Sequence, residues 1–517
     1  MDFRRLINIL TASVCLLSLS ACSLVTDNDD YDEPRNTGDS YINLTIAVSN
    51  GNSRGTRAVP AGGEDGDGRE AGFERENAVT GITLILYKGA GINGDGSQKL
   101  DLVRYFPVTR DGAPATQGTE YTAGTGDDSH PDQIEAKYTT GPQLIGKYGV
   151  SKLDFTSEYH ALVIANYDLT AGLTEGTSTL ADVREQVLAK VYSGDAKSPA
   201  SSAVNFIMSS EEDNKLKFSE SGVKKEDAAS GDVTYDFDGQ PLIIERMAAR
   251  IDFWAANSNG YKDTYTYTTP GYEYNVTGGS DKFVITGIMP FNLANGSTTF
   301  GSEYIFKRIA ENATKLADAS KPVNYLAPET FNSYVVDPKT YDKTGTDGTD
   351  LLENPLGNTT GVYKMIADNT LETSPYYHSI ASMHGASLAS SMISGQENVI
   401  VCYPMENTLL PTSKLYYYAT GVIVVGDYYV GGTGTPTTYY YLSYLRHQGD
   451  KDTYDVQPHT SSTLSVTQDM GTTPMNYGVV RNNIYRISIN SIDSKGTLEL
   501  KIKVKEWDPY VHEFIYM

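Results

Sequence analysis

The sequence predicts an all-β protein built from two β-sandwich units, with one short helix in the N-terminal unit. Three observations lead there. Tyr (38 residues) and Gly (48 residues) are abundant while long helical patterns are nearly absent, a balance that favours strands joined by long turns. Short apolar or alternating runs recur along the chain, separated by clusters of Gly, Asn, Asp and Ser. The 517 residues exceed one sandwich and suit two.

The first strand is "YINLTIAV", in which Ile42, Leu44, Ile46 and Val48 alternate with Asn43, Thr45 and Ala47. A loose stretch rich in Gly, Asn and Ser follows at once and carries Arg54 and Arg57, so this strand is joined to the rest by easily cut chain. "GITLILYK" and "EYHALVIANYD" are the next clear strands, with turns such as "GINGDGSQ" and "AGTGDDSHPDQ" between them. The spacing of Val183, Val187, Leu188 and Val191 predicts a helix in "TSTLADVREQVLAKVYSG", capped by Thr179 or Ser178, closed by Gly194 and packed across an opening of the sheets. "AVNFIMSSEE" and "PLIIERMAARIDFW" read as further strands, and turn-rich sequence from Asn257 to Ser280 marks a junction. Beyond it come "KFVITGIMPFNLAN", "NVIVCYPMEN" and a hairpin of "KLYYYATGVIVVGDYYV" with "TTYYYLSYLRH" around "GGTGTP". The last pair is "NNIYRISINSI" and "TLELKIKVKEW", turning at "DSKG". Leu498, Leu500, Ile502 and Val504 face one way, and Glu499, Lys501, Lys503 and Lys505 the other.

The N-terminus reads as an export signal: Arg4 and Arg5, a short apolar run, then Leu19, Ser20, Ala21 and Cys22. Leu-Ser-Ala-Cys resembles a bacterial lipobox, in which the cysteine, here Cys22, receives the lipid. A plain signal peptide or a membrane anchor are the alternatives, but the apolar run is short for a span of roughly 20 residues. The acidic stretch "DNDDYDEPRNTGD" after it has the composition of a disordered tether. The formal charge is −24, from 41 Lys and Arg against 65 Asp and Glu. Removing residues 1–57 takes away 5 basic and 7 acidic residues and leaves 36 against 58, a charge of −22. An acidic surface of this kind lacks the basic footprint that nucleic acid requires. Of three cysteines, Cys15 and Cys22 lie in the signal, so Cys402 stands alone and no intrachain disulfide framework is expected.

Motifs for catalysis and metal binding are missing. None of the seven histidines forms a His-Glu-x-x-His pair, His378 and His384 in "YYHSIASMHGAS" read as loop or satisfied polar contacts, and no Gly-x-Ser-x-Gly elbow occurs. Cys402 follows three apolar residues and reads as buried and inert. "GGEDGDGRE" lacks the spacing and closing carboxylate of a calcium loop, and "GGTGTPT" lacks the Lys and the helix of a phosphate cradle. The tyrosine clusters invite an aromatic sugar platform, against which stands the plainer reading of β-faces that bury their rings. No catalytic site, cofactor or metal is expected.

Several segments, taken in order, carry a resemblance: the lipobox at Cys22, the Arg-containing linker, "GITLILYK", "ALVIAN", "FIMSS", "IERMAARIDF", "CYPMEN" and "VVRNNIYRISINSI" leading to "VKEW". Together they resemble the fimbrillins, the type V pilins of Bacteroidales, with the closing segment most like the major subunit of the minor fimbriae. The resemblance implies two transthyretin-like, Greek-key sandwiches and this layout: signal at 1–22, propeptide with a removable strand at 23–57, N-terminal unit at 58–255, and C-terminal unit with a donor tail at 256–517. It implies a structural pilin of a cell-surface fimbrium, serving adhesion and biofilm formation. The precursor would be an outer-membrane lipoprotein, held to the membrane by its lipid alone. An arginine-specific protease would cut after Arg57, or as second choice Arg54, and release the strand of Ile42, Leu44, Ile46 and Val48. A neighbour's C-terminal tail would fill the vacated groove, presenting either Val511, Ile515 and Met517 or Tyr510, Phe514 and Tyr516, the first set preferred. Partners implied are further copies, tip and anchor subunits, and the protease. The alternative is a tip or accessory adhesin that binds a host glycan or protein. Cleavage is needed on energetic grounds: four such buried side chains contribute roughly 6–12 kcal/mol at about 1.5–3 kcal/mol each. A tethered strand also competes at high effective concentration.

Overall fold

A computed structural model describes residues 40–48, 69–71, 76, 79–89, 96–109, 134–138, 142–149, 158–191, 205–212, 214–216, 224–226, 233–236, 242–254, 265–268, 271–293, 305–306, 362–374, 376–379, 398–409, 419–447, 453–462 and 477–508. They are almost entirely β-structure, in agreement with the predicted class. Before the helix lie β1 (Ser40–Val48), β2 (Arg69–Ala71), β3 (Gly81–Lys88), β4 (Leu100–Thr109), β5 (Ile134–Tyr138), β6 (Pro142–Gly149) and β7 (Tyr159–Ala165). Helix α1 (Leu180–Val191) is followed by β8 (Met208–Ser210), β9 (Asn214–Leu216), β10 (Lys224–Glu226), β11 (Val233–Asp236), β12 (Leu242–Arg246) and β13 (Arg250–Trp254). Then come β14 (Tyr265–Thr268), β15 (Gly271–Asn275), β16 (Lys282–Phe291), α2 (Val362–Ala367), β17 (His378–Ser379), β18 (Asn398–Cys402) and β19 (Asn407–Thr408). The chain closes with β20 (Gly421–Tyr429), β21 (Thr437–Tyr444), β22 (Thr453–Val456), β23 (Gly478–Val479), β24 (Asn483–Ile492) and β25 (Leu498–Asp508).

The first sheet has 11 strands, and its ladder runs β1-β12-β8-β7-β3-β4-β5-β6 before returning to β1. It encloses a core in which β3 and β7 are buried almost throughout, as their unbroken apolar runs require. Helix α1 seals this core with Leu180, Val183, Val187, Leu188 and Val191. Its start is fixed by a capping box: the Thr179 amide donates to Asp182 Oδ2 at 2.7 Å, and the Asp182 amide faces Thr179 Oγ1 at 3.5 Å. Ser178, the other cap suggested by sequence, instead accepts from the Thr174 amide at 3.0 Å. Thr179→Ala is therefore expected to cost about 1 kcal/mol in urea unfolding, and Ser178→Ala less.

The second and third sheets face one another across a second core. One runs β18-β13-β24-β25-β2, with β22 also on β25, and the other β14-β15-β16-β20-β21, with β17 on β16. The predicted hairpin is β20 and β21, and the turn between β24 and β25 rests on Asp493, whose Oδ1 accepts from the Lys495 and Thr497 amides at 2.8 Å. Gly496 completes it at φ 80°, where a side chain is disfavoured. The outer face of the third sheet carries a third core, which includes Ile366 of α2.

Two features depart from the sequence reading. "PLIIERMAARIDFW" forms two strands, not one: β12 belongs to the first sheet and β13 to the second, so the chain crosses at Met247–Ala249. "GITLILYK" is not the first strand after the linker, because β2 precedes it and pairs in parallel with β25. Lys503 and Lys505, on the face of β25 opposite Leu500 and Ile502, are buried as well. They stand opposite Arg486 and Ile484 of β24, and Ile484 lies in the first core, so this face of the second sheet is covered by protein.

Candidate functional site

Strand β1 sits between two neighbours remote in sequence. On one side Tyr41–Ala47 pair antiparallel with β6, and on the other Ser40–Asn43 and Ile46–Val48 pair in parallel with β11 and β12. Both backbone edges of β1 are therefore engaged, and without it the first sheet would not close. Ile46 is fully buried in the core and lies opposite Leu242, itself buried, whereas the adjacent Ile243 is exposed. The alternation along β12 identifies the inward face, and Ile46 shares it. The placement of a strand in "YINLTIAV" follows from its period-two pattern; its neighbours could not be read from sequence, since every partner is distant along the chain.

Arg54 and Arg57 lie outside the described residues, as do Cys22 and the proposed donor residues Val511, Ile515 and Met517. For Ile42, Leu44 and Val48 the backbone of β1 is described. The C-terminal strand continues to Asp508, one residue past Trp507.

A second feature was not anticipated. Where the first and second sheets meet, Glu76 is wholly buried and gathers a polar network. Its carboxylate accepts from Arg250 Nη1 at 3.0 Å and from the Tyr403 hydroxyl at 2.7 Å, and its carbonyl accepts from Arg246 Nε at 3.0 Å. The rest of the Arg250 guanidinium forks onto Asp252, with Nε and Nη2 each 2.9 Å from a carboxylate oxygen. Arg246 Nη1 reaches Asn482 Oδ1 at 2.8 Å. Burial opposes the charge on Arg250, yet Asp252 and Glu76 outweigh it and hold its pKa above the ordinary guanidinium value. Nearby, Arg481 forks onto Glu406 at 2.8 and 2.9 Å. The signal for this network was present in "RIDFW": Arg250 and Asp252 share one face of an otherwise apolar strand, and such charges need a buried partner.

Other candidates from the sequence resolve simply. Cys402 is buried. Tyr440, Tyr441 and Tyr444 are buried, with the Tyr441 hydroxyl donating to the Gly496 carbonyl at 2.8 Å, so these rings build core and form no platform. Tyr416, Tyr417 and Tyr418 lie outside the described residues, as does His384. His378 is half-buried in β17, and desolvation lowers its pKa. Among the described residues, no group of three or more His, Cys, Asp or Glu is placed to hold a metal ion. No described helix is long and apolar enough to cross a membrane.

No protein-family model and no curated protein matches the chain. Among solved structures it is similar to a "putative cell adhesion protein" from Parabacteroides distasonis, at 14% identity and a TM-score of 0.40, over 92% of this chain and 98% of that one. It is also similar to the tip fimbrial protein Mfa3 from Porphyromonas gingivalis with a C-terminal truncation, at 8% identity and a TM-score of 0.37, over 91% of this chain and 100% of that one.

Proposed function

We propose that this protein is a structural subunit of a cell-surface fimbrium, made as a lipoprotein precursor and assembled by strand exchange after an arginine-specific protease cuts the linker at Arg57, or failing that at Arg54. The observation that carries this reading is the position of β1. It is hydrogen-bonded on both edges, it closes the first sheet, and the Arg-bearing linker separates it in sequence from β2. Loss of such a strand opens two backbone edges and an apolar slot at once, a template for strand addition. The groove would receive the segment following β25 from another copy, with Val511, Ile515 and Met517 directed inward. Cys22 carries the lipid that places the precursor on the outer membrane. In this role the protein needs no catalytic group or cofactor; its partners are further subunits and the protease.

The test is to expose precursor lacking its signal segment to an arginine-specific protease, identify the new N-terminus, and follow size by light scattering. Polymers are expected from the wild-type chain, and none from Arg57→Ala or from a chain ending at Asp508. A chain that is cut at Arg57 and stays monomeric with its tail intact would overturn the stalk role and favour a tip or accessory adhesin that binds a host glycan or protein.

A further inference from the structure

We propose that β2 and Glu76 together act as a latch that confines processing to arginines upstream of β2, with Glu76 as the positioning residue. The proposal rests on the reading of the linker as a cleavage site and adds how one arginine is chosen among several. The sequence offers Arg54, Arg57, Arg69 and Arg75 within a short span.

The latch has two separate anchors. Strand β2 lies in parallel register on β25, Arg69 against Glu506, Glu70 against Trp507 and Ala71 against Asp508. Among the described residues, Glu506 is also paired with β24, whereas Trp507 and Asp508 are held in the ladder by β2. Five residues beyond β2, Glu76 is tied through both its carboxylate and its carbonyl, as described above, to Arg246, Arg250 and Tyr403.

An endoprotease binds its substrate as an extended strand and needs free backbone on both sides of the scissile bond. After Arg69 that backbone is already in a ladder. After Arg75 the next residue is Glu76, which has no exposed surface. The chemistry opposes that cut as well. Hydrolysis adds one water across the amide, leaving a carboxylate on the arginine and an ammonium on the following residue. An ammonium on Glu76 would be buried beside the guanidinium groups of Arg246 and Arg250, with like charge against like. Cuts upstream of Arg69 leave the latch whole. The processed chain then keeps β2 paired with the end of β25.

The test follows N-termini over time in precursor digested with an arginine-specific protease, a readout independent of polymerisation. In the wild-type chain, cleavage after Arg69 and Arg75 is expected to be at least ~100-fold slower than in the linker upstream. Glu76→Gln should speed both cuts by ~10-fold or more and leave the upstream cuts unchanged. Glu212→Gln, which breaks the buried Arg184–Glu212 pair of the first core, should leave Arg69 and Arg75 protected. Equal cutting of all four arginines in the wild-type chain would overturn the proposal. So would Glu76→Gln with unchanged protection, or Glu212→Gln exposing the same two sites.

Discussion

Ile46→Ala is expected to loosen β1 far more than any single surface change. Ile46 is completely buried in the first core, and truncating such a side chain to Ala costs about 2–5 kcal/mol. In the uncut precursor the loss appears as reduced stability of the first sheet. In cut protein it appears as faster escape of β1, because the peptide is then held by non-covalent contacts alone. A loss of that size weakens retention between roughly 30-fold and a few thousand-fold. The measurement is the rate at which the β1 peptide leaves cut protein during size-exclusion chromatography. Ile243→Ala, one residue from Leu242 on the neighbouring strand but exposed, serves as the control and should leave that rate nearly unchanged.

The second large effect belongs to Arg250. Its guanidinium is the shared partner of two buried carboxylates, Glu76 and Asp252, so Arg250→Met leaves both without their strongest neighbour. Breaking a buried pair from one side costs about 3–5 kcal/mol, against about 1 kcal/mol or less for a surface pair. The loss is expected to depend on pH in a definite direction. Burial pushes the Asp252 carboxyl above the ordinary carboxylate range even with Arg250 beside it. Without Arg250 it holds its proton to still higher pH in the folded state than in the unfolded state. The folded variant is then favoured at acid pH and loses that favour as pH rises through the raised value. Urea unfolding should therefore show a smaller deficit relative to the wild-type chain at pH 4.5 than at pH 7.

Much of this architecture was legible in the sequence, and the reasons are local. Period-two alternation marked β1 and β25, unbroken apolar runs marked β3 and β7, and a Thr or Ser ahead of helical apolar spacing marked the start of α1. What escaped was non-local. Nothing in "YINLTIAV" says that β6, β11 and β12 flank it, because those pairings join residues far apart in the chain. The burial of the β25 lysines escaped for a related reason. Alternation tells which residues share a face, but the face of Lys503 and Lys505 is covered by a layer whose presence depends on the whole fold. The same packing hid the role of Glu76, one of several charges in a polar stretch until Arg246, Arg250 and Tyr403 close around it.

The central claim is that β1 is a removable strand whose place another copy's tail can take. The most direct measurement uses a fluorescent peptide of residues 508–517, added to intact precursor and to precursor cut in the linker, with binding read by anisotropy. The account predicts binding only after cutting, in step with loss of the β1 peptide, and weaker competition from β1 carrying Ile46→Ala. Equal binding to both forms, or cut protein that keeps β1 and ignores the peptide, would contradict it.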